Sequence, residues 1–439
     1  MNSDDNGFSG VKLWKRAKAV IPGGGMLLSK RPEMFAPEQW PTYFRSARGI
    51  SVRDLDGNTY SDFSLMGVGT NTLGYGNRQV DSAVRRAVKN GNMSTLNNPK
   101  EVILAEKLVE LHPWADQVKF ARSGGEANSI AIRIARAATG RDAVAVCGYH
   151  GWHDWYLSVN LRDENGLDDL LLPGLLPLGV PAGLAGTTLP FHYGNFEELL
   201  KISATHSLAA IKLEVARGSK PDEIFLRELR ALATKVGAVL IFDECTSGFR
   251  ETYGGIHLST QIEPDMAMFG KALGNGYAVT AVIGRRSVME NAQRTFISST
   301  FWTEGIGSAA GVATLGEMER LRSWEIISAK GREIKQGWRE IAKSRKVPIE
   351  ITGLDALASF FFTEADHQIM RTYFTQEMLQ RGYLASPSVY LSTAHTDSEI
   401  SRYLENFDQV FAQLEGLDND QVKAALHGPV AHAGFQRLN

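Results

Sequence analysis

A carboxylate at the end of an apolar run is the first feature of the chain that could do chemistry. The run Gly237–Phe242 is followed by two acids, Asp243 and Glu244. Such a run is typical of a strand that is buried on both faces. A buried charge requires a partner, because an unpaired one is unstable away from water. The pattern therefore indicates that Asp243 binds a cation.

A lysine among apolar residues is the second such feature. Lys271 follows Gly270 within the stretch Met266–Gly276. Lysine is rarely buried, and a desolvated lysine loses its proton more easily, so it can act as a nucleophile or form a Schiff base. The alternative is a lysine whose stem packs against the protein while its ammonium group reaches water.

Two further stretches could bind parts of a ligand. Ser123, Gly124 and Gly125 lie between a predicted strand and a predicted amphipathic helix, where backbone N–H groups and the helix terminus suit a phosphate. Tyr149 follows another predicted strand, at the sheet edge where α/β proteins bind ligands, and its ring could stack on a flat molecule. The alternatives are a purely structural turn and an aromatic residue of the core.

The elements that must position these residues alternate along the chain. Strand–helix–strand alternation predicts an α/β fold with a mostly parallel sheet covered by helices. After about Gly311 the pattern changes to helices that precede a strand, which indicates a smaller α+β domain. We therefore divide the chain into an N-terminal segment with a helix and a hairpin (1–75), a large domain (76–311) and a small C-terminal domain (312–439). The predicted strands of the large domain are Val118–Ala121, Asp142–Cys147, Ala209–Glu214 and Ala238–Asp243.

Composition excludes several classes of protein. The 439 residues carry a formal charge of −2, which predicts no binding to nucleic acid or to a membrane surface. The two cysteines do not form a CxxC pair, and no apolar run is long enough to span a membrane. The polar N-terminus does not resemble a signal peptide. We expect a cytoplasmic protein with no metal site.

One small molecule would use all four chemical features, namely pyridoxal 5′-phosphate (PLP). Its phosphate needs the glycine loop, its ring needs a stacking partner and its aldehyde needs a lysine. Its ring nitrogen needs a carboxylate that keeps it protonated, so that the ring can accept electrons. The cation expected beside Asp243 would then be the pyridinium.

The chain resembles the class III, fold type I, PLP-dependent aminotransferases, and most closely the glutamate-1-semialdehyde aminomutase group. The resemblance extends from about Leu13 to Leu414. It is carried by PGG at 22–24, DLDGNTYSDF at 54–63, SGGEAN at 123–128, YHGWHD at 149–154, FDECTSGFR at 242–250 and FGKALGNG at 269–276. Six motifs in the same order are far more specific than any one of them.

The resemblance implies a role for each matched residue. Lys271 matches the Schiff-base lysine, which also moves the proton during catalysis, and Asp243 matches the acid that pairs with the ring nitrogen. Tyr149 matches the stacking ring, and the residues matched to the phosphate site are Ser123, Gly124 and Gly125. Thr300 matches a threonine that reaches the phosphate from the neighbouring subunit, which implies a homodimer with shared active sites.

Departures from the aminomutase pattern indicate a different substrate. Gly125 replaces a threonine, and Lys30 stands near the place of a carboxylate-binding arginine. Thr70 and Asn71 lie where the aminomutases have Ser-Trp-Gly-Pro, and Arg217 follows the strand-end Glu214. Glu214 is either a substrate contact or a structural carboxylate. The wider, more polar pocket that these changes imply suits a polyhydroxylated acid.

The same segments resemble aminotransferases of surface-polysaccharide biosynthesis. Those enzymes convert the oxidised sugar acid 8-oxo-Kdo (8-oxo-3-deoxy-octulosonate) into 8-amino-Kdo, with glutamate as the donor. We therefore expect an aminotransferase that acts on a carbonyl-bearing sugar acid for lipopolysaccharide or another surface glycan. The main alternative is an aminomutase, which needs no external donor. No predicted strand is followed by a GxGxxG loop with an acid about 20 residues further on, which disfavours a nicotinamide dehydrogenase. A non-catalytic regulator is disfavoured because it would not need the lysine–aspartate pair.

Overall fold

The structure is a computed structural model that describes residues 9–163, 165–168, 170, 173–216, 218–363 and 366–434. These residues form two compact units. One consists of Arg78–Glu325, and the other consists of the described parts of Met1–Asn77 and Ile326–Asn439.

The strands are numbered in chain order. They are β1 (Phe44–Arg48), β2 (Ser51–Asp54), β3 (Thr59–Phe63), β4 (Gln117–Ala121), β5 (Ala143–Cys147), β6 (Thr188–Pro190), β7 (Leu208–Glu214), β8 (Val239–Asp243), β9 (Met266–Phe269), β10 (Thr280–Gly284), β11 (Ile349–Thr352), β12 (Leu357–Phe362), β13 (Tyr383–Ala385) and β14 (Ser388–Tyr390).

The helices are numbered in the same way. They are α1 (Gly10–Val20), α2 (Met66–Gly69), α3 (Arg78–Lys89), α4 (Pro99–Leu111), α5 (Gly124–Thr139), α6 (Asp154–Leu157), α7 (Phe196–Thr205), α8 (Glu223–Val236), α9 (Arg286–Met289), α10 (Gly305–Leu321), α11 (Ser323–Arg345), α12 (His367–Gln380), α13 (Asp397–Leu414) and α14 (Asn419–Ala424). Short 3₁₀ turns include Leu28–Lys30, Lys271–Gly274 and Thr300–Thr303.

A seven-stranded sheet forms the centre of the unit Arg78–Glu325. Its strand order is β4-β10-β9-β8-β7-β5-β6, and only β10 runs antiparallel to its two neighbours among these described strands. Every residue of β7 and β8 is buried, as the long apolar runs in the sequence predict. The prediction of an α/β fold with a large, mostly parallel sheet is confirmed.

Helices α5 and α8 pack against the sheet of this unit or connect its strands, and they thereby position the strand ends. α5 buries an apolar face that includes Ile130 and Ile134 and contacts β7, β8, β9 and β10. α8 connects the parallel strands β7 and β8, and it begins at the N-cap Asp222 and ends at Gly237, which has φ +66°. The register between these strands pairs Glu214 with Asp243, so two carboxylates end neighbouring strands.

The second unit has two small sheets. β1, β2, β3 and β13 form one sheet, in which β13 pairs in parallel with β3, and β11, β12 and β14 form the other. The Asp-Gly step at 56–57 turns the chain between β2 and β3, as the sequence predicts, and Gly57 has φ +95°. Trp338, Phe360 and Phe407 are buried in the core of this unit. Among the described residues, no helix is long and apolar enough to cross a membrane.

Candidate active site

Asp243 ends β8 and is nearly fully buried, with 3% of its surface exposed. Its Oδ2 atom lies 3.1 Å from Lys212 Nζ and 2.9 Å from His150 Nδ1, and its Oδ1 atom accepts a hydrogen bond of 3.1 Å from the Cys245 amide. Burial alone would raise the pKa of Asp243, but the Lys212 ammonium and the His150 hydrogen bond lower it far below its usual range. The carboxylate therefore stays ionised.

Lys271 follows β9 and begins a 3₁₀ turn. Its φ of +41° is rare for a residue with a side chain, and such strain is common at functional sites. Lys271 Nζ donates a hydrogen bond of 2.8 Å to Thr246 Oγ1. The Thr246 hydroxyl in turn donates to Glu214 Oε1 at 3.4 Å. The lysine amine is thus linked through one hydroxyl to a strand-end carboxylate.

The glycine loop forms the start of α5. Ser123 caps the helix, since its Oγ accepts from the Glu126 amide while the Glu126 carboxylate accepts from the Ser123 amide. Gly124 and Gly125 are the first two helical residues. A Cβ atom on Gly125 would lie 3.1 Å from His153 Nε2, so a larger residue at this position would force the His153 ring to shift. The N-terminus of α5 carries positive partial charge that favours an anion.

A cavity of about 240 Å³ brings these residues together. Its lining contains Ser123, Gly124, Gly125, Asn128, Tyr149, Gly151, Trp152, Glu214, Asp243, Cys245, Thr246, Gly270, Lys271 and Thr280. It therefore combines a helix N-terminus, an aromatic ring, an ionised carboxylate and a lysine amine. This combination can bind a small, flat molecule that carries an anionic group and a reactive carbonyl.

Glu214 holds the loop that carries Tyr149. Its Oε2 atom accepts a hydrogen bond of 2.9 Å from the Tyr149 amide. Gly148 has φ +94°, and a Cβ atom there would lie 2.8 Å from the same oxygen. Of the two roles that the sequence left open for Glu214, this geometry supports a structural one.

The predicted residues Lys30, Thr70 and Asn71 lie in the other unit. Lys30 ends a 3₁₀ turn. Thr70 Oγ1 donates to the Gly67 carbonyl at 3.0 Å, and Asn71 Nδ2 donates to Thr70 Oγ1 at 2.8 Å. The two side chains thereby close the turn α2, which includes the left-handed residues Gly67 and Val68.

Two other predicted residues are not placed in the cavity. Thr300 begins an exposed 3₁₀ turn, and its carbonyl accepts a hydrogen bond from Thr303 Oγ1. It is absent from the described residues that line the cavity. Arg217 lies outside the described residues.

Sequence reasoning missed Lys212, His150 and Thr246. Lys212 is fully buried in the middle of β7, and the signal was a lysine inside an otherwise apolar run. His150 lies next to Tyr149, and a histidine at a strand end was a second signal. Thr246 offered no signal of its own, because its contact with Lys271 depends on the folding of two separate loops.

Comparison with known proteins gives one consistent family. The family model described as aminotransferase class-III matches residues 35–411. A 3-aminobutyryl-CoA aminotransferase from Cloacimonas acidaminovorans (strain Evry) is 30% identical, over 93% of this chain and 97% of that protein. A glutamate-1-semialdehyde 2,1-aminomutase from Desulfovibrio desulfuricans (strain ATCC 27774 / DSM 6949 / MB) is 33% identical, over 90% and 97%.

A solved structure has the same fold. The PLP internal aldimine form of the FumI protein from Sphingopyxis sp. MTA144 superposes with a TM-score of 0.84. The two proteins are 26% identical, and the match covers 92% of this chain and 96% of that one.

Proposed function

Because this chain belongs to the class III aminotransferases, which depend on PLP, we propose that it moves an amino group from glutamate to a carbonyl-bearing sugar acid. The observation that carries the transfer chemistry is the cavity in which Lys271 and Asp243 lie beside the α5 N-terminus. The acceptor is inferred from sequence, where Lys30, Thr70, Asn71 and Arg217 depart from the aminomutase pattern. The best candidate is 8-oxo-Kdo, which would give 8-amino-Kdo for a surface glycan.

The cavity residues fit PLP. The N-terminus of α5, with Ser123, Gly124 and Gly125, would hold the phosphate, and Tyr149 would stack on the ring. The Asp243 carboxylate, kept ionised by Lys212 and His150, would pair with the ring nitrogen. When bound, PLP supplies an electron sink for the charge left on a substrate carbon that loses its proton.

Lys271 would perform the two remaining tasks. Its Nζ atom would hold the cofactor aldehyde covalently when PLP is bound. When it is not engaged with the cofactor, the same Nζ atom would remove the α-proton of the donor and return a proton to the acceptor carbon. The hydrogen bond to Thr246 Oγ1 orients Nζ within the cavity.

The second copy of the chain would complete each site. We propose a homodimer in which Thr300 of one subunit reaches the phosphate in the other. The large apolar side chains of Phe296 and Phe301, which are 83% and 69% exposed, lie near Thr300 in the sequence and support a protein–protein surface there. A cytoplasmic location remains the expectation from the sequence.

The donor is tested in a half-reaction. The PLP form of the purified protein is mixed with glutamate while the cofactor absorption is followed, and 2-oxoglutarate is measured by mass spectrometry. We expect conversion to the pyridoxamine form with one 2-oxoglutarate per site. D-Glutamate is the matched control. An unchanged spectrum with glutamate would reject glutamate as the donor while leaving the cofactor assignment intact.

The acceptor is tested in the reverse direction. The pyridoxamine form is offered 8-oxo-Kdo, other carbonyl-bearing sugar acids, glutamate-1-semialdehyde and acetoacetyl-CoA, the oxo partner of a 3-aminobutyryl-CoA amine. We expect sugar acids to restore the PLP spectrum fastest. Faster restoration by acetoacetyl-CoA would show that the acceptor is a β-oxo compound, which yields a β-amino product, and not a sugar acid. Isomerisation of glutamate-1-semialdehyde without glutamate would instead identify an aminomutase.

A further inference from the structure

A lysine without a role in the transfer chemistry lies beneath the candidate cofactor site. Lys212 is in the middle of β7, and none of its surface is exposed. Its Nζ atom lies 3.1 Å from Asp243 Oδ2 and 3.8 Å from Met268 Sδ. A buried ammonium is unstable without a partner, so the position of Lys212 depends on the Asp243 carboxylate.

The contacts of Asp243 divide between its two oxygens. Oδ2 faces Lys212 and His150, whereas Oδ1 accepts from the Cys245 amide and has capacity for a second donor. Asp243 lines the cavity, so a donor on a bound ligand can reach this carboxylate. Lys212 therefore fixes the orientation of the carboxylate and compensates its charge at the same time.

We propose that Lys212 is a positioning residue that partly neutralises Asp243 and thereby weakens the attraction of this carboxylate for the protonated ring nitrogen of PLP. The proposal rests on the PLP dependence of the family and on the predicted pairing of Asp243 with the ring nitrogen. It does not depend on the identity of the donor or the acceptor. An aspartate without such a cation would hold the ring proton more firmly.

The surrounding charges determine the direction of the effect. Burial lowers the pKa of Lys212, while Asp243, Cys245 and Glu214 oppose that shift. Burial also lowers the pKa of His150, and the Lys212 charge lowers it further. Lys271, in the 3₁₀ turn that follows β9, also lines the cavity. Loss of the Lys212 charge leaves Asp243 with one fewer cation, so the pKa of the bound ring nitrogen should rise by about one unit or more.

The experiment compares two cofactors that differ at one ring atom. Dissociation constants are measured for PLP and for its 1-deaza analogue, in which a C–H group replaces the ring nitrogen. The ratio of the two constants isolates the contact at the ring nitrogen. In Lys212→Met we expect the preference for PLP to increase at least about tenfold over the wild type, because one pKa unit corresponds to a factor of ten.

Two further variants separate charge from packing. Lys212→Gln removes the charge but keeps a donor, and we expect it to increase the preference as Lys212→Met does. Lys335→Met is the matched control, since Lys335 is also buried and lies 3.3 Å from an aspartate, Asp355, in the other unit. We expect this control to lose stability without a change in the ratio. An unchanged ratio in both Lys212 variants would show a purely structural lysine.

A second readout does not require a variant that folds. PLP labelled with ¹⁵N at the ring nitrogen is bound to the wild-type protein, and its NMR shift is followed with pH. We expect the ring nitrogen of PLP bound to the wild-type protein to lose its proton within the pH range in which the protein is folded. A wild-type ring nitrogen that stays protonated over that whole range would contradict the proposal.

Discussion

Glu214 connects three parts of the candidate site through one carboxylate. Its Oε2 atom accepts from the Tyr149 amide, and its Oε1 atom accepts from the hydroxyl that contacts Lys271 Nζ. Two features require a glycine at position 148. Its φ is +94°, and a Cβ atom placed there would lie 2.8 Å from Glu214 Oε2. The position of Tyr149 therefore depends on the close contact between residues 148 and 214.

We predict that Gly148→Ala destabilises the protein more than a matched substitution does. Gly179→Ala is the control, because Gly179 has φ +86° and no described atom within 4 Å of a Cβ atom placed there. Both variants incur backbone strain, but only Gly148→Ala adds a steric conflict, worth about 1–3 kcal/mol. Thermal unfolding and PLP affinity measure the difference. Equal losses in the two variants would show that the Glu214 contact is unimportant.

The sequence predicted the elements that carry local signals. The amphipathic helix predicted after the glycine loop is α5, Gly124–Thr139, and it extends from the Ser123 cap at one end to Gly140, with φ +67°, at the other. The apolar runs predicted β7 and β8 to within one residue at either end. The antiparallel insertion of β10 between β4 and β9 was not predicted, because its pairing with β4 joins segments that are far apart in the sequence.

The candidate site was predictable only where residue type was informative. Lysine, aspartate, tyrosine and glycine at strand ends indicated the cavity-lining residues Lys271, Asp243, Tyr149, Gly124 and Gly125. Lys212 gives a weak signal, because one lysine does not change the strand pattern of a mostly apolar run. A charged residue inside a buried strand indicates a partner of opposite charge nearby, as Asp243 is for Lys212.

We predict that two subunits share each active site of the protein. If each site combines Lys271 of one subunit with Thr300 of the other, a defect in one subunit can be compensated by its partner. A subunit that lacks the lysine can still supply the threonine, and the converse also holds.

We predict that two inactive variants restore activity when they are mixed. Lys271→Ala and Thr300→Ala subunits are unfolded, combined in equal amounts and refolded together. Random pairing gives heterodimers in which one site has both residues, so about one site in four should be active. Each variant refolded alone is the control. Activity of the mixture that equals the mean of the two controls would show that Thr300 does not act across the dimer.

Reductive trapping identifies directly the lysine that carries the cofactor, which we expect to be Lys271. The PLP form of the protein is treated with borohydride, which reduces a carbon–nitrogen double bond between a lysine and the cofactor to a stable amine. The protein is then digested and its peptides are analysed by mass spectrometry. We expect the cofactor mass on the peptide that contains Lys271. The same mass on the peptide that contains Lys212, or on no peptide, would show that Lys271 does not bind the cofactor covalently.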